Sequence, residues 1–278
     1  MSGDRPSPIA LEKARQAFAK VIKAPVAYHI WTQLITSTVR DGDLQAALPI
    51  LSRDPGLTVK LLAVANSSAF TGMGEVTDLA EALLRLGTME TLRIVAALVF
   101  RDVTNEGLPL WSLNQEQFLN LSLTTGALMA RHAPRADLAP ATAQSLGLLR
   151  GLGHWFLQQA FLETGATPPA PYTGPYLESA RWEEEHFGVT HAEYAAQVFA
   201  QNDLPAALVE PLRQYLAPAP GPWLKAATLL RLATAFAARQ VLPHRTPVRP
   251  DQAADLALLE LAPEDFSGGA TPGPQPPD

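Results

Sequence analysis

The chain of 278 residues contains no cysteine. Disulfides, thiolate-held zinc, iron–sulfur clusters and cysteine nucleophiles are therefore excluded. It also lacks an excess of positive charge. Its 21 Lys and Arg stand against 27 Asp and Glu, for a formal net charge of −6. A protein that binds a nucleic-acid duplex offsets phosphate repulsion with clustered basic residues. The densest basic stretch here, Arg239, His244, Arg245 and Arg249, is interrupted by prolines. It reads as a solvated surface near a helix end, and nucleic acid is not an expected partner. Long apolar runs are missing as well. The longest, Ile94 to Phe100, is far short of a bilayer span, and Met1 to Pro6 leads into a charged helical pattern instead of an apolar signal core. A cytoplasmic protein without membrane contact is expected. Strand alternation is scarce, since Pro243 and Pro247 break the one candidate, Val241 to Val248.

What is present is helix. At 47% hydrophobic and 17% charged residues the chain can bury a substantial core. Leu11, Ala14, Phe18, Val21 and Ile22 follow the three-to-four spacing of an amphipathic helix, as do Leu57, Leu61, Leu62 and Ala65, then Leu79, Leu83, Leu84 and Leu86, then Leu92, Val95, Leu98 and Val99. Asp54 can cap a helix that starts at Pro55. Asn66 suits a left-handed helix end. Gly87 can close one helix and Thr88 cap the next. Ser112-x-x-Gln115 and Thr190-x-x-Glu193 both have the form of capping boxes. These signals predict an all-α chain.

Two breaks organise it. Glu106-Gly107-Leu108-Pro109 separates a first helical cluster, residues 8–106, from a second, residues 110–262. Thr167 to Pro175 is a proline-rich loop inside the second. Residues 263–278, rich in Pro, Gly and Asp, are expected to be a disordered tail. No repeat of solenoid period is visible.

Three signatures follow one another at fixed spacing. Asp54-Pro55-Gly56-Leu57-Thr58 runs into Leu61-Leu62, then Ala65-Asn66-Ser67-Ser68, then Ala82-Leu83-Leu84-Arg85-Leu86-Gly87. Ala24-Pro25 and Asp43-Leu44 precede them. The second half adds Phe118 to Leu123, Gly147-Leu148-Leu149-Arg150-Gly151-Leu152-Gly153, Glu184 with Gly188, His191 and Ala195, Asp203-Leu204-Pro205, and Pro218. Over roughly residues 15–240 the chain resembles the HDOD domain, a bacterial signalling module related to HD-type metal phosphohydrolases. The resemblance implies an N-terminal helical bundle packed on a degenerate HD-type helical bundle, together residues 8–262. It marks Asp54, Pro55, Asn66, Ser67 and Gly87 as structural signature positions.

The resemblance also implies where ligands of a phosphohydrolase metal would stand. Leu121 replaces a His, Arg150 and Gly151 replace a His-Asp pair, and Tyr215 and Leu216 replace a later His pair. Only His191 keeps the ligand type. A metal that activates water needs several such ligands, and Arg150 would place a permanent positive charge where the cation should sit. No catalytic residue, metal or cofactor is therefore expected. The tight Gly151-x-Gly153 turn is expected to survive as structure. Leu121, Arg150, Gly151, His191 and Tyr215 become a vestigial pocket.

Other constellations are weaker. His132, His154, His186 and His191 read as surface or capping histidines, and Glu183-Glu184-Glu185 as a solvated helix face. Ser67 and Ser122 lack a base and an orienting acid, and no Walker-type spacing is present. The five tryptophans, Trp31, Trp111, Trp155, Trp182 and Trp223, read mostly as core. The leading expectation is a non-enzymatic regulatory adaptor that binds a signalling protein. The alternative is a sensor of a nucleotide or anionic metabolite, with Arg150 and His191 as its contacts. The next is a metal-dependent phosphohydrolase with a relocated site at His186, Glu184 and His191. Self-association is compatible with so apolar a helical module.

Overall fold

The computed structural model describes residues 33, 34, 36, 47–53, 55–70, 75–103, 107–245 and 252–267. Among the described residues, regular structure is helical, apart from one isolated antiparallel bridge between Leu108 and Leu113. After a single turn at Leu48–Leu51 come α1 (Pro55–Ala65), α2 (Leu79–Val103), α3 (Gln115–His132), α4 (Pro140–Glu163), α5 (Ser179–Phe187), α6 (His191–Gln201), α7 (Ala206–Gln214), α8 (Leu224–Val241) and α9 (Gln252–Leu258). The all-α expectation holds. None of these helices is long and apolar enough to cross a membrane.

Over residues 55–103 the first cluster follows its sequence signals, while the helix expected at Leu11 to Ile22 and the Ala24-Pro25 and Asp43-Leu44 positions lie outside the described residues. α1 starts at Pro55 and buries Leu57, Leu61, Val64 and Ala65, the three-to-four stripe of an amphipathic helix. It packs against α2. Gly87 breaks α2 with φ 71° and ψ 171°, a conformation that disfavours any residue with a Cβ. One helix ends there and the next begins, as the sequence predicts. The Asp54 cap lies outside the described residues. Asn66 corrects one expectation, because it is not among the residues with positive φ. Its amide instead grips the chain ten residues on. Nδ2 donates to the Val76 carbonyl at 2.8 Å, and the Val76 amide donates to Oδ1 at 2.8 Å. Ser67 keeps a buried hydroxyl with no hydrogen-bond partner.

In the second cluster α4 is the central post. From Thr142 to Phe161 every residue except Gln159 is buried, the mark of a helix enclosed on all sides. α3, α6, α7 and α8 surround it. Gly151 and Gly153 do not form a turn, contrary to expectation, and both lie within the continuous α4 helix. They are contact points. A Cβ on Gly151 would come within 2.3 Å of Ser122 Oγ, and one on Gly153 within 2.4 Å of the His191 carbonyl oxygen. Helix-interior glycine costs about 1 kcal/mol in propensity. Here it allows α3 and α6 to approach the α4 backbone.

Three further expectations change. The cap of α3 is Asn114, boxed with Gln117, while Ser112 is left-handed at φ 51°. Thr190 does cap α6, accepting from the Glu193 amide at 3.1 Å. Residues 263–267 are not tail: Phe266 is fully buried, stacked on Phe236 at 4.3 Å and tilted against His132 at 4.6 Å. Arg245 is not a solvated cation either. It donates to the carbonyls of Trp111 (2.6 Å), Gly174 (3.0 Å) and Tyr172 (3.1 Å). With the Tyr172 amide donating to the Leu110 carbonyl at 2.9 Å, it staples the proline-rich loop across the end of the bundle.

Candidate functional site: a sealed polar cluster around α4

A cluster of polar side chains fills the space between α4, α5, α6 and the segment after α7. Glu183 on α5 is its anion and is fully buried. Trp111 Nε1 donates to Glu183 Oε1 at 2.8 Å, and Ser179 Oγ donates to the same oxygen at 2.9 Å. The His191 amide reaches Oε2 at 2.8 Å, and His191 Nδ1 donates to Oε2 at 2.7 Å. His191 Nε2 meets the Tyr215 hydroxyl. Arg150, on α4, donates from Nη1 to the Tyr176 hydroxyl at 2.9 Å. Tyr215 stands beside the guanidinium as well. His154, one turn further along α4, stacks on His191 with ring centroids 3.7 Å apart and 21° between planes. Tyr176 stacks on His154 at 5.4 Å, and Trp111 meets its edge at 5.0 Å.

The charges are arranged in series. Arg150 and Glu183 do not touch, and Tyr215 and His191 lie between them. With Nδ1–H of His191 donated to Glu183, a neutral ring leaves Nε2 to accept from the Tyr215 hydroxyl. The Tyr215 oxygen then faces the cation. Burial alone would raise the Glu183 carboxyl; the His191 ring and amide and the Trp111 indole override it and hold Glu183 below the usual carboxylate range. Burial opposes the charge on Arg150, and the Tyr176 and Tyr215 oxygens more than offset it. Burial raises both of those phenols. His154 is pushed well below the ordinary imidazole value, first by burial and then by the neighbouring His191, Arg150 and Arg245. Its Nε2 lies 3.6 Å from Glu183 Oε1, too far for a hydrogen bond, so the pair is a neutral imidazole beside a carboxylate and not an ion pair.

Of the expected pocket residues, Arg150, His191 and Tyr215 converge. Leu121 and Gly151 do not join the polar contacts: Leu121 lies in the apolar core and Gly151 packs on Ser122 and Phe118. The residues missed are Glu183, His154, Tyr176, Trp111 and Ser179. Glu183 corrects the expectation of a solvated acidic run, because Glu184 and Glu185 alone are exposed. A signal for it existed. Ser179, Glu183 and Phe187 are spaced by four and share the buried face of α5. His154 likewise sits four residues after Arg150. His154 and His191 are interior groups, not surface histidines. His186 does not join them, and its Nδ1 meets the Trp182 carbonyl at 2.8 Å.

His154, Glu183 and His191 offer ligand atoms that all lie within 4.8 Å of one another, which raises the question of a metal. They do not fit one. Two nearly parallel rings 3.7 Å apart direct their in-plane lone pairs alongside each other and not toward a common point. Both Glu183 oxygens already accept hydrogen bonds, and His191 Nε2 is turned to Tyr215. The Arg150 cation stands one turn away. A set of His186, Glu184 and His191 fits no better, since Glu184 is exposed and His191 is buried.

Outside the seal, Tyr172, Leu177, Trp182 and Leu216 line a surface groove of about 480 Å³. Trp182 packs edge-on against Trp111 at 5.9 Å, and Leu216 follows Tyr215 directly. The groove and the cluster thus share walls.

Known proteins show the same architecture. An HDOD domain protein of unknown function from Geobacter sulfurreducens superposes with TM-score 0.63 at 18% identity, covering 94% of this chain and 88% of its own. A protein of Shewanella amazonensis provisionally named a phosphohydrolase gives 0.59 at 20% identity, with 90% and 88% covered. One of Marinobacter aquaeolei, provisionally named a signal transduction protein, gives 0.67 at 19% identity, with 95% of this chain and 63% of its own covered. No curated protein matches. The HDOD domain family profile matches residues 27–218, across both helical clusters and through the polar cluster from Trp111 to Tyr215, and the chain belongs to that family.

Proposed function

We propose that this protein is a non-catalytic regulatory module of bacterial signal transduction, a scaffold that binds a partner protein and performs no hydrolysis. The observation that carries the reading is the buried position of Arg150. A fixed cation occupies the place where the family resemblance puts a metal-binding His, and Tyr176 and Tyr215 surround it instead of carboxylates. The groups a phosphohydrolase would use to activate water are committed to one another. The Marinobacter aquaeolei protein, named for signal transduction, and the Shewanella amazonensis protein, named for phosphate hydrolysis, share the fold. The chemistry of this chain's own cluster favours the first.

Purified protein assayed with Mn2+ or Mg2+ against phosphodiester and phosphomonoester substrates tests the absence of catalysis. Background rates are expected, with less than one metal ion per chain by elemental analysis. Metal-dependent turnover that is lost in His191→Ala would overturn the reading. Binding is tested by capture with the full chain from a bacterial lysate, followed by reconstitution from purified components. A defined complex is expected, and failure of every captured candidate to reconstitute counts against an adaptor. A nucleotide sensor is disfavoured because Arg150, His154, His191, Tyr176 and Tyr215 are each at most 2% exposed.

A further inference from the structure

The groove beside the sealed cluster has aromatic walls. Tyr172 and Trp182 line it with ring centroids 5.7 Å apart and 40° between planes, and Leu177 and Leu216 continue the apolar surface. Both rings are partly exposed. The charges at the rim are few: Arg181 pairs with Glu185 at 3.1 Å, and Glu178 stands beside them. Tilted aromatic faces without a strong charge suit a proline-rich segment, whose preformed polyproline II helix loses little entropy on docking. This chain carries such a segment. Residues 268–278 hold Pro272, Pro274, Pro276 and Pro277, and no charged side chain before Asp278. The segment follows the point where Phe266 stacks on Phe236. There Gln240 Nε2 donates to the Phe266 carbonyl at 3.4 Å. Five residues after Gln240, Arg245 donates to the Tyr172 carbonyl at 3.1 Å, with its guanidinium 5.7 Å from the centre of the Tyr172 ring. Five residues span at most about 18 Å even when extended, and these are partly helical. The eleven residues after Ser267 span about 34 Å as polyproline II, which leaves length for the two side chains and brings the prolines to the groove.

We propose that residues 268–278 are an intramolecular ligand of this groove, with prolines 272–277 seated on the Tyr172 and Trp182 rings. The tether holds the segment at an effective concentration on the order of 1 mM, so a weak contact is enough to fill the groove. Seated there, the segment covers Trp182 and Leu216. Trp182 packs on Trp111 of the sealed cluster, and Leu216 directly follows Tyr215. The segment thereby masks the surface that backs onto the cluster. The masking does not rest on the adaptor reading, and failure to find a partner protein would leave it standing.

The chain has no cysteine, so Gln275→Cys in the full chain gives a single attachment point for a nitroxide. Heteronuclear NMR reads the amides of Leu177, Ala180 and Trp182 and the Trp182 indole, with the label oxidised and then reduced. These signals are expected to lose most of their intensity under the oxidised label and regain it on reduction, while Leu61 in α1 keeps its own. Pro272→Ser, Pro274→Ser, Pro276→Ser and Pro277→Ser combined in the labelled chain are expected to abolish the loss. All four positions follow Phe266, so the variant leaves the packed core intact. Labelled chain without isotope, mixed with unlabelled enriched chain, reports contacts between molecules, and no loss is expected there. The proposal is overturned by a loss at the groove no greater than at Leu61, or by a loss that persists in the four-proline variant. It is overturned equally by a loss that arises only between molecules, which would assign the groove to a second copy of the chain.

Discussion

The α1–α2 pair and the α4–α6 region bury their interiors by opposite means. In the first, Leu57, Leu61, Val64, Leu83 and Leu86 meet as a plain apolar seam, and the polar devices sit at its margin: the Asn66 clamp on Val76 and the Arg85–Glu81 pair at 3.3 Å. In the second, an arginine, a glutamate, two histidines and two tyrosines occupy the middle of the core. An apolar seam tolerates loss of any one contact as a packing defect. A buried polar network is fully satisfied or costly, because each member removed strands the others. The first region therefore holds the fold, and the second imposes one arrangement of α4, α5, α6 and the Tyr215 segment.

The sharpest way to break that contrast is Glu183→Ala. It leaves the Trp111 indole, the Ser179 hydroxyl and the His191 ring and amide without their acceptor. A loss of about 3–5 kcal/mol is expected from denaturant unfolding. A loss under about 1 kcal/mol would mean that the network is ornamental. Acid separates the regions next. Burial, first of all, lowers His154 in the folded state, while an unfolded chain has it near 6.5. Below that value the unfolded state binds the extra proton, so stability falls with pH, by up to about 1.4 kcal/mol per unit until the folded value is reached. His132, lowered chiefly by burial, adds to the same trend. Glu183, whose folded value is depressed, adds a further loss at lower pH. His154→Phe is expected to flatten the profile between pH 6.5 and 5, measured by chemical denaturation. In the first region, Asn66→Ala removes two side-chain-to-backbone bonds and is expected to cost about 1 kcal/mol, with faster hydrogen exchange at the Val76 amide and unchanged exchange on α4. The smallest effect belongs to Leu84→Lys. Leu84 is 72% exposed, and a change within about 0.5 kcal/mol is expected.

Legibility in the sequence divides along the same line. Pro55, the Leu57–Leu61 stripe and the break at Gly87 are local signals, each acting within a turn or two of helix, and each appears where the spacing puts it. The polar cluster is not local. Glu183 looked like one of three solvated acids, and only its register with Ser179 and Phe187 set it apart from Glu184 and Glu185. His154 reads as an ordinary helix residue until α6 closes on Gly153 and lays His191 over its ring. Arg245 looked like surface charge because its three acceptors are backbone carbonyls, more than 70 residues away in the chain and invisible to any pattern of side chains.

The sequence by itself determined an all-helical chain and the HDOD resemblance; the division into two clusters was its expectation, and the resemblance implies that Leu121, Arg150, Gly151, Tyr215 and Leu216 replace metal ligands. Periodicity, capping and residue type are properties of neighbours along the chain, and they suffice for that. Tertiary structure alone decided that Arg150 is buried between Tyr176 and Tyr215, that Glu183 is the anion of the core, and that His154 stacks on His191 and so cannot share a metal with it. Burial and ring orientation are set by which helices cross and how closely, and here the contacts at Gly151 and Gly153 bring them within reach.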